Sequence, residues 1–228
     1  MVGKGNMGPK SRIKSISVVG LGKLGLPLAL VMAKAGFNVV GIDTDHERQK
    51  EIQSYAEKRS PEPHVTEYLK KYRSKLTFTE DYAPLCDTPI VFVLVQTPTL
   101  KHGFFDMQYI ESAVQRIHER NPNALIAISS TLAIGEFNDL STIHESLCYN
   151  PEMIRQGSII RDYENGFPGW TLIGAESEAY VESLARVWRK VHRTRVPILI
   201  VKPAVAEIVK TGLNLKHSLE ITFTNAVG

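Results

Sequence analysis

Two cysteines in 228 residues, Cys86 and Cys148, are too few for a disulfide framework or a cysteine-based zinc site. Both read as structural residues, and so few thiols fit a reduced, cytoplasmic setting. No metal site is expected. No apolar run approaches 18 residues and no signal-like segment opens the chain. A membrane-spanning helix and a secretory leader are therefore not expected. Excess charge is also scarce, at a net +3, so no nucleic-acid partner is expected. The exception is local: Lys4, Lys10, Arg12 and Lys14 fall in the first fourteen positions with no acid among them. That glycine-rich stretch, 1–14, has no apolar period and reads as a mobile, solvated arm. Internal repeats and low-complexity segments are lacking too. What is present is ordinary, 43% hydrophobic and 22% charged, with length enough for one large domain or one domain and an appendage.

The most informative stretch is Ile16-Ser17-Val18-Val19-Gly20-Leu21-Gly22-Lys23-Leu24-Gly25, a short apolar strand running into G-x-G-x-x-G and then an apolar helix. Each glycine has a physical task. Gly20 permits the tight turn, Gly22 lets a pyrophosphate approach the backbone, and Gly25 lets the helix lie close to the sheet. The helix start, at Lys23 and Leu24, points unpaired N–H groups and a positive dipole end at the phosphates. A second strand follows over 38–42, and Asp43 at its end lies 18 residues past Gly25, placed to accept from ribose hydroxyls. Thr44-Asp45 follows, so a 2′-phosphate would meet negative charge; the pattern favours NAD over NADP. The ordinary alternative is a structural turn with a helix-capping aspartate. Thr44-Asp45-His46-Glu47 has capping-box spacing, and Asp45 and Glu47 read as caps.

Hydrophobic periodicity extends the alternation. Helices are predicted over 24–35, after Asp43, over 65–72, 106–120 and 176–192, and strands over 76–79, 124–128, 147–149, 171–174 and 198–201. The continuous apolar run 89–95 reads as a central parallel strand covered on both faces. It ends in Gln96-Thr97-Pro98, at the edge where open α/β sheets bind ligands. Pro203 opens a final helix that runs to the end of the chain. The β-α alternation indicates an α/β, doubly wound, mostly parallel, Rossmann-like sheet followed by a long C-terminal helix. The expected division is an arm (1–14), a dinucleotide-binding domain (15–202) and the start of a central helix (203–228).

Several segments, in order, resemble the UDP-glucose/GDP-mannose dehydrogenase family. Val19-Gly20-Leu21-Gly22-Lys23-Leu24-Gly25-Leu26-Pro27 resembles its opening turn. Gln96-Thr97-Pro98 with Gly103 and Asp106 resembles V-P-T-P…G…D, with Gln96 replacing the usual proline. Ser130-Thr131 resembles S-T-V, and 150–158 resembles N-P-E-F-L-R-E-G-S. Ala206-Glu207-Ile208-Val209-Lys210 with Asn214 resembles A-E-x-x-K-x-x-x-N. The resemblance implies oxidation of a nucleotide-sugar C6 alcohol to a carboxylate, with two NAD reduced and a cysteine trapping the aldehyde as a thiohemiacetal. It also implies that Lys210 and Asn214 stabilise an oxyanion. Thr131 would hold water or cofactor, Glu152 would move protons near C6, and Thr97 and Pro98 would line the cofactor. A homodimer through the last helix is implied as well.

The departures carry expectations of their own. Gln156 stands where glutamate is usual and cannot act as a base. Only twelve residues separate Gly135 from Cys148, so one helix is shortened. The family's cysteine motif and nucleotide-sugar domain lie beyond the central helix, so this chain is expected to bind NAD without completing the reaction. Cys148 lies on the wrong segment for the family's nucleophile. Each residue also has an ordinary alternative: Glu207 and Lys210 on a solvated helix face, Asn214 as polar surface, Thr131 ending a strand, Glu152 opening a helix. A non-catalytic NAD-binding or interaction module, or another hydroxy-acid dehydrogenase of similar architecture, remains open at this point.

Overall fold

The computed structural model describes residues 13–227 apart from 56, 102 and 104. All but the last two residues of the basic arm lie outside the described residues. Eight strands form one sheet: β1 (Ser15–Val19), β2 (Asn38–Ile42), β3 (Leu76–Thr79), β4 (Ile90–Val93), β5 (Leu125–Ile128), β6 (Leu147–Tyr149), β7 (Thr171–Gly174) and β8 (Ile198–Val201). Their order is β3-β2-β1-β4-β5-β6-β7-β8. Every residue of β4 and β5 is buried. Alternate side chains serve opposite faces: Ile90 and Phe92 join one core, Val91 and Val93 the other. That two-sided burial is why the sequence runs apolar without alternation.

Helices cover both faces. Helices α1 (Gly25–Lys34), α2 (His46–Ser54), α3 (Val65–Lys71), α6 (Ile159–Asn165) and α7 (Glu178–Val191) supply side chains to the first core. Helices α4 (Gln108–Arg120) and α5 (Glu136–Ile143) supply the second. The short α5, eight residues, agrees with the shortened connection. Sequence periodicity did not indicate α6. It spans seven residues, and Ile159, Ile160 and Tyr163 bury its apolar side against α1. Asp162 holds its first turn by accepting from Ser158 Oγ at 2.9 Å and from Arg155 N at 3.1 Å. Cys148 is buried in β6, and burial pushes its thiol up to about 12, far from nucleophilic use. Cys86 corrects the expectation of a structural thiol: it lies exposed in a short 3₁₀ turn, Ala83–Asp87.

The sheet changes sense at one place. β6 and β7 are antiparallel and pair only at Tyr149 and Gly174, whereas β7 and β8 are parallel to each other. Gly174 is therefore level with the carboxyl end of β6, and β8 hands the chain to α8 (Pro203–Val227) at that edge. A β-carbon on Gly174 would lie 2.8 Å from Ala206 Cβ and 3.0 Å from Pro203 Cα, so the helix seats directly on the strand. Pro203, Ala206 and Glu207 are buried there. Further along α8, Ile208, Leu215, Leu219, Ile221 and Phe223 are exposed.

Candidate active site and cofactor crevice

The glycine turn follows β1 at the carboxyl edge. Gly20 has φ +89°, and a β-carbon there would come within 2.4 Å of Leu94 O. A β-carbon on Gly25 would overlap Gly20 O at 1.8 Å, whereas one on Gly22 would point into open space. Two glycines thus serve the fold, and the third leaves the approach clear. No side chain caps the start of α1, and Gly22 and Lys23 are exposed there. That bare helix start beside an open approach fits a diphosphate.

Asp43, at the end of β2, turns its carboxylate onto the glycine turn. Its Oδ2 accepts from Leu21 N at 2.7 Å and its Oδ1 from Asp45 N at 3.0 Å. Capping of α2 belongs instead to Asp45, whose carboxylate accepts from Glu47 N at 2.9 Å and Arg48 N at 3.3 Å. Arg48 was missed in the sequence. The residues directly after Asp43 are not basic, but the helix turns this guanidinium back to donate to Leu21 O at 2.6 Å and Gly22 O at 3.3 Å. The only signal was its spacing, five residues past Asp43. Lys23, Arg48 and Gln156 border a crevice of about 410 Å³.

Further along the same edge, Thr97 follows β4 half-buried and Pro98 is exposed. Thr131, half-buried, lies in the loop after β5. Ser130 Oγ donates to Val95 O at 2.7 Å, tying that loop to the one after β4. Glu152, in the loop after β6, is buried. Its Oε1 and Ser129 Oγ are buried polar atoms without a hydrogen-bond partner among the described residues. Burial raises the Glu152 carboxyl to about 8, against the opposing influence of the Lys210 charge and the Tyr163 and Ser129 hydroxyls. Lys210 reaches from α8 to donate its Nζ to the Glu152 backbone oxygen. Burial lowers its ammonium below the ordinary lysine value, and the Glu152 charge acts the other way.

The structure therefore brings Lys210 and Glu152 together and overturns the solvated-face alternative for both Glu207 and Lys210. Glu207 is 1% exposed, and its two oxygens accept from Gly135 N at 2.9 Å and Phe137 N at 2.8 Å. Asn214, one helical turn beyond Lys210, is exposed. Tyr163, also unremarked in the sequence, buries its ring beneath the site and donates to Leu24 O at 3.4 Å.

A doubly wound sheet whose first turn offers bare amides to a diphosphate, with an acid at the end of β2, defines a dinucleotide-binding domain of the dehydrogenase class. A family model for the UDP-glucose/GDP-mannose dehydrogenase family, NAD binding domain, matches residues 14–192. The chain belongs to that family, and NAD is its cofactor. GDP-mannose 6-dehydrogenase of Pseudomonas aeruginosa is 27% identical over 234 residues, a match covering 93% of this chain and 52% of the relative. UDP-glucose 6-dehydrogenase of Rickettsia typhi is 26% identical, covering 92% and 50%. Among solved structures, a ternary complex of the P. aeruginosa GDP-mannose dehydrogenase superposes with TM-score 0.84 at 26% identity, over 93% of this chain and 52% of that one. A UDP-glucose dehydrogenase from Pyrobaculum islandicum gives 0.83 at 28%, over 100% and 54%. The chain spans about half the length of these relatives. Among the described residues, no helix is long and apolar enough to cross a membrane.

Proposed function

We propose that this chain is the NAD-binding half of a nucleotide-sugar 6-dehydrogenase, taking a sugar C6 alcohol to a carboxylate. The observation that carries the reading is the meeting of Lys210 and Glu152 at the carboxyl end of β6. In this reading Gly20, Gly22, Lys23, Leu24, Gly25 and Asp43 hold the dinucleotide, with Thr97, Pro98 and Thr131 along its path. NAD supplies the hydride acceptor. Lys210 and Asn214, i and i+4 on one helix, offer a cation and an amide donor to an oxyanion at C6. Glu152, neutral through most of the physiological range, exchanges a proton there. Residues 15–202 form the cofactor unit, and 203–228 begin a helix toward a second unit holding the sugar nucleotide.

Calorimetry tests the cofactor half of this reading: NAD binds, and binds more tightly than NADP. Turnover tests the rest. With UDP-glucose or GDP-mannose and NAD, the 228-residue chain alone forms no NADH, because no residue of the described site supplies the trapping thiolate; steady NADH production would overturn that. The exposed apolar residues of α8 suit a homodimer through this helix, in a cytoplasmic setting. A monomer by light scattering at high concentration would count against the dimer.

A further inference from the structure

The loop after β5 carries Thr131 and hangs from a series of tethers. Ser129 N and Ser130 N both donate to Val93 O, at 2.9 and 3.1 Å. Leu132 N donates to the buried Tyr149 hydroxyl at 3.2 Å. Downstream the loop ends at Gly135, whose φ of +102° turns the chain into α5. No side chain of its own caps that helix start; the partner comes from α8. The buried Glu207 takes Gly135 N on one oxygen and Phe137 N on the other, across 72 and 70 positions of sequence. Its two short charge-assisted bonds hold the far end of the Thr131 loop to the same helical turn that presents Lys210.

We propose that Glu207 is a positioning residue: from α8 it fixes the loop carrying Thr131, so that the Thr131 edge and the Lys210 edge of the site share one support. This rests on the assignment of Thr131 to the cofactor path made above. Glu207 touches no reacting group. It acts through backbone amides, and its seat is set by Ala206, its neighbour, lying on Gly174. A group misplaced by a fraction of an ångström weakens binding without unfolding the protein.

A double-mutant cycle on NAD affinity tests the proposal in the 228-residue chain. Glu207→Gln keeps one acceptor oxygen and loses the other. Thr131→Ala and Glu207→Gln are each expected to weaken NAD binding about fivefold or more. The double variant is expected to bind no worse than the weaker single variant, because both changes spoil one contact. Purely structural support predicts the opposite: a lowered melting temperature with unchanged affinity, or losses that multiply. Either result overturns the positioning role while leaving the cofactor assignment standing. Thr131→Ala without effect removes Thr131 from the cofactor path and the positioning role with it. Should Glu207→Gln not fold, Glu207→Asp, which keeps the charge and withdraws it by one methylene, is read on the same cycle.

Discussion

The Asp43 carboxylate accepts from the Leu21 amide at 2.7 Å, so the acid at the end of β2 and the middle of the glycine turn hold each other. One group thereby shapes the turn and, in the proposed reading, serves the ribose as well. Asp43→Ala is expected to weaken NAD binding by ~2 kcal/mol, roughly thirtyfold, the scale of a lost charged hydrogen bond. NADP binding should fall less or rise, since a negative charge has been removed from its 2′-phosphate. Parallel titrations of the two dinucleotides check both statements.

The three glycines should separate by phenotype. Gly22→Ala adds a methyl to open space, so it should fold with an unchanged melting temperature and lose NAD affinity. Gly25→Ala and Gly20→Ala overlap backbone oxygens at 1.8 and 2.4 Å and should fail to fold or lose several degrees. Thermal melts with and without NAD distinguish a fold defect from a binding defect.

Glu152 gives the fold a pH slope. Its carboxyl is raised by burial from 4.5 to about 8, so between those values the native state holds a proton that the unfolded chain releases. Stability contributed by this group is full below 4.5 and declines as pH rises through that window. Glu152→Gln removes the slope and should gain on the order of 2–4 kcal/mol relative to wild type above pH 8. Denaturant melts at pH 6 and 9 read the difference directly. In a full-length enzyme the same substitution is expected to depress turnover.

Buried imidazoles contribute to the acid side. His144 closes α5 with Nε2–H donating to Ala124 O at 2.7 Å, which leaves Nδ1 to accept from His118 Nδ1 at 3.1 Å. Burial lowers its pKa first, and the neighbouring His118 charge adds to that, while the Ala124 bond and Glu145 oppose it. His192 is lowered by burial likewise. A depressed value means stability is full above about 6.5 and is lost as pH falls toward the folded-state pKa. His144→Gln, which keeps a donor for Ala124 O, should cost about 1 kcal/mol at pH 7.5 and flatten the fall toward pH 5.

The glycine turn, the buried strands and the start of α2 were legible because each leaves a local mark: a spacing of glycines, an apolar run, a capping aspartate. The short α6 left none, since seven residues carry barely two turns of periodicity and Asp162 with Ser158 and Arg155 fixes the first. Arg48 was hidden for another reason. Its contact is with two backbone oxygens, and a carbonyl has no sequence signature. Glu207 and Lys210 stood in a readable motif, yet their partners are main-chain atoms far away in sequence, Gly135 and Phe137 for one and Glu152 for the other. Nothing near Glu207 in the chain distinguishes a buried anchor from an ordinary charged helix face.

One hydrogen atom, the side chain of Gly174, sets how deep the long helix sits. A single methyl in its place would have to displace Ala206 or Pro203, and every group carried by the following turn would ride outward with them. Alignment between the two edges of the site is thus gauged by a contact of hydrocarbon on backbone that takes no part in any reaction. Gly174→Ala should act as a shim: chemistry intact at each residue, spacing wrong between them.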